Sequence, residues 1–302
     1  MIAQPAGPAE SAPVSGPPER KPRKLALRRS FFKKRLPPRA MLGIAILLFI
    51  LAVTVLVPLL SPYTPTQQNL AEALQGFTLA HPLGTDQLGR DMLVRLAYGA
   101  RWTVGITLAA TCIGAVVGVA LGILGAYYGR WLEVVLMRSV DVMLTFPGVL
   151  IAFFVVAILG AGTTSLIYAV SLYSVPIFAR LAYGTTKSIM TRQFIEAART
   201  RGANDLRVMV RHILPNIFSE MVILWTLRLG VTALLVSSLS FLGLGVQPPT
   251  PEWGAMLNQG REFMRVLPSM TIIPGVAISL FIVAINLLGD GLRDAIDPRY
   301  TA

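Results

Sequence analysis

The chain has 302 residues, of which 54% are hydrophobic and 14% are charged, whereas soluble domains average about 45–50% apolar and about 25% charged residues. A mean hydropathy of +0.64 and a net charge of +12 therefore favour a membrane protein with basic loops over a nucleic-acid-binding protein. One cysteine, Cys112, and two histidines, His81 and His212, exclude an internal disulfide, a thiolate cluster and a multi-histidine metal site.

Six stretches are apolar and long enough to cross a bilayer, which takes about 20 residues of helix. The glycine-rich sequence 160–164 divides one long apolar run into two of them, because such a cluster is typical of a turn. The sequence therefore predicts an all-α integral membrane protein with both termini on one side of the bilayer. The predicted spans cover residues 40–60, 102–129, 134–159, 165–186, 221–242 and 268–288.

Lysine and arginine are distributed unequally over the predicted loops. Of these 27 residues, 21 fall on the side of the termini, five fall on the other side, and Arg228 lies in the fifth span. Because positive residues collect in cytoplasmic loops, we expect both termini to be cytoplasmic. Residues 1–39 are predicted to be a disordered, basic cytoplasmic tail, and the apolar run after it is predicted to be an uncleaved anchor.

The polar segment 191–219 joins the fourth and fifth predicted spans. Its small residues favour a short helix that ends at Gly202, and Asn204 can cap a second helix, which Pro215 is expected to interrupt. Two short helices at an angle would form a knob that another protein can grip. The alternative is an amphipathic helix pair that lies on the lipid headgroups.

This segment resembles the "EAA" signature in permease subunits of bacterial binding-protein-dependent ABC importers. In that family, the loop docks into a groove of a cytoplasmic ATPase and transmits its motion. His212 stands where the family pattern often has isoleucine. The resemblance implies ATPase coupling through Glu196, Ala197, Ala198, Gly202, Leu214 and Pro215.

Three further segments, 81–99, 239–254 and 286–298, resemble the second permease subunit of peptide and nickel importers. The resemblance covers most of residues 40–300 and implies a type I ABC importer, MetI-like permease fold of six transmembrane helices with cytoplasmic coupling helices. It further implies a first transmembrane helix with an extracytoplasmic segment over 40–100, an ABC type-1 transmembrane domain over 101–290 and a cytoplasmic C-terminus over 291–302.

The same resemblance implies the partners and the substrate. The expected partners are a homologous permease subunit in a heterodimer, two cytoplasmic ATPase subunits that bind ATP and Mg²⁺, and an extracytoplasmic binding protein, all at the bacterial inner membrane. The implied cargo is a dipeptide, a longer peptide or glutathione, and the alternative is nickel or a nickel chelate.

The extracytoplasmic segment 61–100 begins with prolines that favour extended chain and ends with a helical apolar face over 88–96. This pattern predicts a helix on the outer surface that braces the next span. Contact with the binding protein is the functional alternative to bracing alone. The charged residues available for that contact are Asp86, Arg90 and Asp91.

A second outer segment contains three prolines within residues 247–251. Because proline breaks regular helices, we expect a stiff, non-helical loop after the fifth span. Trp253, which follows this loop, is expected at the membrane interface, where indole is favoured.

The second predicted span repeats glycine every four residues at Gly114, Gly118 and Gly122. Small residues at this spacing let two membrane helices approach closely. We therefore predict a helix-packing face, with direct substrate contact as the alternative. The opposing helix cannot be identified from this pattern.

Charged residues within or beside spans are energetically costly and require a partner or a water-filled path. Arg138 and Asp141 are three residues apart and are expected to pair on one helical face. Arg228 is expected to extend its guanidinium towards the cytoplasm, to pair with another helix, or to face a central path.

The chain lacks the motifs that ATP hydrolysis or covalent catalysis requires. A Walker A loop has Gly before Lys-Ser/Thr, but Lys187, the one lysine followed by Ser or Thr, follows Thr186. No G-x-S-x-G or H-E-x-x-H motif occurs, and the spans lack the carboxylates of a proton-coupled carrier. The sequence thus favours a permease over an intramembrane hydrolase, a secondary carrier or a channel, with no catalytic residue, metal or cofactor of its own.

Overall fold

The structure, a computed structural model, describes residues 37–296. The predicted basic tail, residues 1–39, lies almost entirely outside this range. The last six residues of the predicted C-terminus, 291–302, lie outside it as well.

Helices make up the regular structure of the described range, which contains no β-strand and a single isolated bridge between Thr85 and Asp91. The prediction of an all-α protein is confirmed. Short 3-10 turns occur at Leu70–Glu72 and Arg261–Phe263. The helices are α1 (Pro38–Leu60), α2 (Met92–Tyr128), α3 (Arg130–Thr145), α4 (Gly148–Leu159), α5 (Thr163–Met190), α6 (Gln193–Thr200), α7 (Asp205–Phe241), α8 (Trp253–Gly260) and α9 (Ser269–Ile296).

Five of these helices, α1, α2, α5, α7 and α9, are each long and apolar enough to cross a membrane. The sixth candidate is the pair of α3 and α4, which bends by 96° between its halves. Phe146 is extended at this break because the residue before a proline, here Pro147, is disfavoured in helical geometry. The expectation of one continuous helix over 134–159 is therefore wrong.

Helix α2 is longer than the predicted second span. It runs unbroken for 37 residues, or about 55 Å at 1.5 Å per residue. The Asp91 carboxylate caps it by accepting a hydrogen bond of 2.7 Å from the Val94 N–H. The predicted surface helix over 88–96 is wrong, because residues 92–96 are the start of α2, and Met92, Val94 and Arg95 are buried.

Helix α7 continues through Pro215 instead of ending there. A π-helical turn over Met209–Ile213 precedes the proline. In this wider turn, the Leu214 N–H bonds to the Met209 carbonyl five residues earlier. Pro215 therefore follows a turn in which the regular α-helical hydrogen-bond pattern is already changed, and the helix continues through it. The expected interruption at Pro215 is wrong, and the second short helix of the predicted pair is the first part of the long helix α7.

The glycine face of α2 packs against α5, and these two helices share the most extensive contact in the described chain. A Cβ added to Gly114 would lie 2.5 Å from Ser174 Cβ, one at Gly118 would lie 2.5 Å from the Val175 carbonyl oxygen, and one at Gly122 would lie 2.4 Å from the Ala179 carbonyl oxygen. The helix opposite the glycines is therefore α5, and its backbone lies where side chains would otherwise be.

Helix α8 packs against α2, α7 and α9. The loop before it, residues 242–252, is non-helical, as its prolines predict. Trp253 at its start is only 2% exposed, and its Nε1–H donates to the Leu96 carbonyl at 2.9 Å. The indole is therefore held inside the protein, and the position of Trp253 at the membrane interface stays a prediction.

Candidate coupling and transport sites

The segment between α5 and α7 folds into the predicted knob. Gly202 has a φ of +80°, a left-handed conformation in which glycine is favoured, and it reverses the chain directly after α6. The Asn204 side chain then caps α7 by accepting a hydrogen bond of 2.9 Å from the Arg207 N–H. We call residues 193–207 the coupling knob.

The six residues of the signature divide into two groups. Glu196, Ala197 and Gly202 are exposed on the coupling knob, and Ala198 is buried beneath it. Leu214 and Pro215 lie farther along α7, nine and ten residues beyond its start. They therefore belong to the span that carries the knob and not to the knob surface.

Apolar packing fastens the coupling knob to three spans. Ile195, which is fully buried, contacts a cluster that includes Tyr127 of α2, Ile189 of α5 and Ile213 of α7. A force applied to the knob therefore acts on the ends of all three helices that lie next to it, because close-packed side chains transmit displacement.

Polar contacts add a second connection between α2 and the coupling knob. The Tyr127 hydroxyl donates to Asp205 Oδ1 at 2.6 Å, and the Arg199 guanidinium lies 4.9 Å from the centre of the Tyr127 ring. Sequence reasoning missed Tyr127, because nothing in its spacing distinguishes it from an interfacial aromatic residue.

The exposed surface of the coupling knob is concave. A groove of about 390 Å³ combines apolar and cationic side chains. An electropositive groove of this kind suits a protein partner that presents acidic and apolar groups. The groove is lined by Phe194, Ala197, Ala198, Arg201, Ala203, Arg207 and His212.

At the opposite end of the fold, a buried ion-pair network surrounds Asp86. The Asp86 carboxylate contacts Arg90 Nε at 2.6 Å and Arg95 Nε at 3.3 Å. Arg95 also donates to the Gln259 amide oxygen at 3.1 Å and to the Pro65 carbonyl at 3.0 Å. The network thus connects the extended segment, α2 and α8.

This network corrects the prediction that Asp86, Arg90 and Asp91 contact a binding protein. The three residues are 2%, 3% and 4% exposed, and Asp91 pairs with His81 Nδ1 at 2.8 Å while it caps α2. Side chains that are paired and covered cannot reach a partner at the surface. Their contacts hold the outer segment in place.

A second buried carboxylate, that of Glu252, joins α8 to α2. It accepts hydrogen bonds from the Thr103 hydroxyl at 2.8 Å and from the Ala255 N–H at 2.9 Å. Burial raises the pKa of the Glu252 carboxyl, although these hydrogen bonds act in the opposite direction. Sequence reasoning missed Glu252. Its position at the end of a proline-rich loop, directly before a short helix, is the signal that could have identified it as a helix cap.

The charged residues of the spans have different partners from those expected. Asp141 pairs with Arg180 of α5 at 2.7 Å and not with Arg138, because its side of α3 faces α5. Arg228 is partly exposed on α7, and within residues 37–296 it forms no ion pair. On the same side of α3, Glu133 pairs with Lys187 at 2.8 Å.

Comparison with known proteins identifies the family of this chain. The family model described as "Binding-protein-dependent transport system inner membrane component" matches residues 114–302. A second model, "N-terminal TM domain of oligopeptide transport permease C", matches residues 22–82. The chain belongs to the binding-protein-dependent transport system inner membrane component family.

The individual relatives agree with this family. The permease is 46% identical over 225 residues to the glutathione transport system permease protein GsiD of Pectobacterium atrosepticum, covering 74% of this chain and 75% of the relative. It is also 46% identical over 224 residues to GsiD of Shigella sonnei, covering 74% of each chain. The chain is thus a multi-span inner-membrane permease subunit of a binding-protein-dependent importer.

Solved structures share the fold. A chain from the inward-facing MetNI methionine ABC transporter superposes with a TM-score of 0.55 at 20% identity, covering 68% of this permease and 98% of that chain. The predicted MetI-like fold is confirmed. Within this fold, the permease presents the coupling knob at one end and the Asp86 and Glu252 networks at the other.

Proposed function

We propose that this permease forms half of a peptide translocation path together with a homologous permease subunit. ATP and Mg²⁺ are bound by two cytoplasmic ATPase subunits and not by this chain. An extracytoplasmic binding protein delivers the substrate. The observation that carries the proposal is the exposed coupling knob, which is fastened to three spans. Both termini are cytoplasmic in this arrangement, on the side of the knob.

The coupling step follows from the packing of the knob. Closure of two ATPase subunits on ATP draws the two coupling knobs of the permease pair together. Because Ile195 belongs to one buried apolar cluster with side chains of α2, α5 and α7, these helices move with the knob, and the path opens outward. Hydrolysis of ATP releases the knobs and returns the path to the inward-facing state.

The extracytoplasmic segment supplies the contact for the binding protein. Its side chains Leu70, Phe77 and Leu79 are large, apolar and 68% to 103% exposed, which is typical of an interaction site. The buried network around Asp86 holds this segment against α2 and α8. We assign docking to the apolar side chains and bracing to the charged ones.

The substrate class rests on the relatives. The GsiD proteins are named as glutathione transport permeases, and the similarity extends over three quarters of their length. We infer that the substrate is a short peptide, including glutathione. Nickel import remains the outcome that would contradict this inference.

The test is reconstitution of the complete importer. The tagged permease is purified in mild detergent with its associated subunits, placed in vesicles that contain ATP inside and supplied outside with the binding protein. Uptake of labelled glutathione or dipeptide that depends on ATP and the binding protein supports the proposal. Recovery of the chain without ATPase subunits, or uptake of nickel in place of peptide, contradicts it.

A further inference from the structure

Helices α7 and α9 pack closely and bring together polar residues that lie far apart in the sequence. A Cβ added to Gly230 of α7 would lie 2.6 Å from Asn286 Oδ1 of α9, and one at Gly289 would lie 3.3 Å from Leu227 Cδ2. These contacts align the two antiparallel helices in register. Ser238 and Ser279 accordingly line the same groove nearer their outer ends.

We call Ser238, Ser279 and Asn286 the polar stripe. All three residues are exposed in the chain, although they lie within helices long and apolar enough to span the membrane. Within the described residues, the Asn286 amide has no hydrogen-bond partner. Such groups are costly in lipid, so they face a protein interior or a water-filled cavity.

Large apolar side chains are exposed beside the stripe, as at Leu234 of α7 and Leu280 of α9, and on the other membrane helices. Such side chains suit lipid or a partner helix. Examples are Leu48 and Phe49 of α1, Ile113, Val116 and Val117 of α2, and Phe153 and Phe154 of α4.

The outer end of the stripe opens into a groove of about 500 Å³ between α7, α8 and α9. Ser237, which lines this groove, is only 4% exposed, and its hydroxyl has no hydrogen-bond partner in the described chain. The hydroxyls of Ser238 and Ser279 donate to carbonyls of their own helices at 2.7 Å and 2.9 Å. Their oxygens therefore remain free to accept a hydrogen bond.

The spacing and chemistry of these groups match a short peptide. Ser279 and Asn286 are seven residues apart, or about 10 Å along α9, which equals the length of about three residues of extended chain. A primary amide both donates and accepts, as a peptide bond does.

We propose that the polar stripe and its groove are this permease's wall of the translocation path and bind the substrate peptide. Ser237 and Asn286 hydrogen-bond its peptide groups. The inference rests on the proposed function of peptide import and adds the residues that contact the cargo.

Cysteine accessibility in the assembled importer tests this assignment, because Cys112 is the one cysteine of the chain. Single cysteines are placed at Ser279 or Asn286 in a Cys112→Ala background and treated with a charged, water-soluble thiol reagent. The matched control is Val116→Cys, on an exposed apolar face of α2. We expect both stripe cysteines to react at least tenfold faster than the control and to be protected by the transported peptide.

Uptake provides an independent readout. Asn286→Ala and Ser237→Ala should each raise the KM for peptide several-fold, whereas Val116→Ala should leave it unchanged. If the wild type imports peptide but both stripe cysteines react as slowly as the control, or react without protection, the stripe is not the binding wall. If the wild-type importer moves no peptide, the proposed function fails, and the assignment of the stripe to peptide binding fails with it.

Discussion

The hydroxyl of Tyr127, in the last turn of α2, donates a hydrogen bond of 2.6 Å to the carboxylate of Asp205, the first residue of α7. This bond connects a span directly to the coupling knob. It supplements the apolar packing of Ile195, so that the knob is fixed both by a directional contact and by close packing.

Tyr127→Phe removes this bond and keeps the ring. A hydrogen bond to a charged group contributes about 1.5–3 kcal/mol, so we expect looser coupling, measured as fewer peptides transported per ATP hydrolysed. Tyr128→Phe is the matched control, because the neighbouring hydroxyl forms no hydrogen bond within residues 37–296. Equal coupling ratios in the two variants would show that the bond has no part in transmission.

Gly202→Trp places a bulky side chain on the proposed ATPase-docking surface. Gly160→Trp is its control, since both glycines have left-handed φ values, +80° and +83°, with no atom within 4 Å of an added Cβ. The backbone strain is therefore similar in both variants. We expect only Gly202→Trp to reduce ATPase recovery in pull-downs and ATP-driven uptake, and equal losses would indicate a folding effect alone.

Gly118→Ala tests the packing of α2 against α5. The added Cβ would lie 2.5 Å from the Val175 carbonyl oxygen, and overpacking of this kind costs about 1–3 kcal/mol. The melting temperature in detergent should therefore fall. Gly105→Ala, on the same helix with open space around its Cβ, should leave stability unchanged or raise it, since alanine favours helix by up to about 1 kcal/mol.

The raised pKa of Glu252 predicts a dependence of stability on pH. The folded protein holds this proton more tightly than the unfolded chain, so stability falls as the pH rises from the ordinary carboxyl pKa to the raised one. Glu252→Gln removes this dependence. The melting temperature of the variant minus that of the wild type should therefore increase as the pH rises. Glu262→Gln, at an exposed site, should give a profile parallel to that of the wild type.

Asp86→Ala and Leu79→Ser separate bracing from docking in the outer segment. Removal of Asp86 leaves two buried arginines without their carboxylate, and loss of one partner of a buried pair costs about 3–5 kcal/mol. We expect Asp86→Ala to lower the melting temperature. Leu79→Ser should leave the melting temperature intact and weaken ATPase stimulation by the binding protein. If Leu79→Ser lowers the melting temperature and Asp86→Ala instead weakens ATPase stimulation by the binding protein, then Asp86 belongs to the docking surface.

Local signals in the sequence were sufficient for the class of fold and for the coupling knob. Apolar runs of about 20 residues identify spanning helices because the bilayer fixes the required length. The end of α6 was likewise readable, since Gly202 and Asn204 carry conformational and capping preferences that act over a few residues.

Only the tertiary structure decided which residues meet across the fold. The sequence marked Gly118 as a packing position, but its neighbour Val175 lies 57 residues away. It also marked Asp86 as a charged residue available to a partner protein, whereas Asp86 is buried against Arg90 and Arg95. The continuation of α7 through Pro215 depended on a π turn, and the polar stripe depended on the register of α7 against α9. Contacts between distant segments have no periodicity in the sequence, because they arise only when helices pack and exclude solvent from one another.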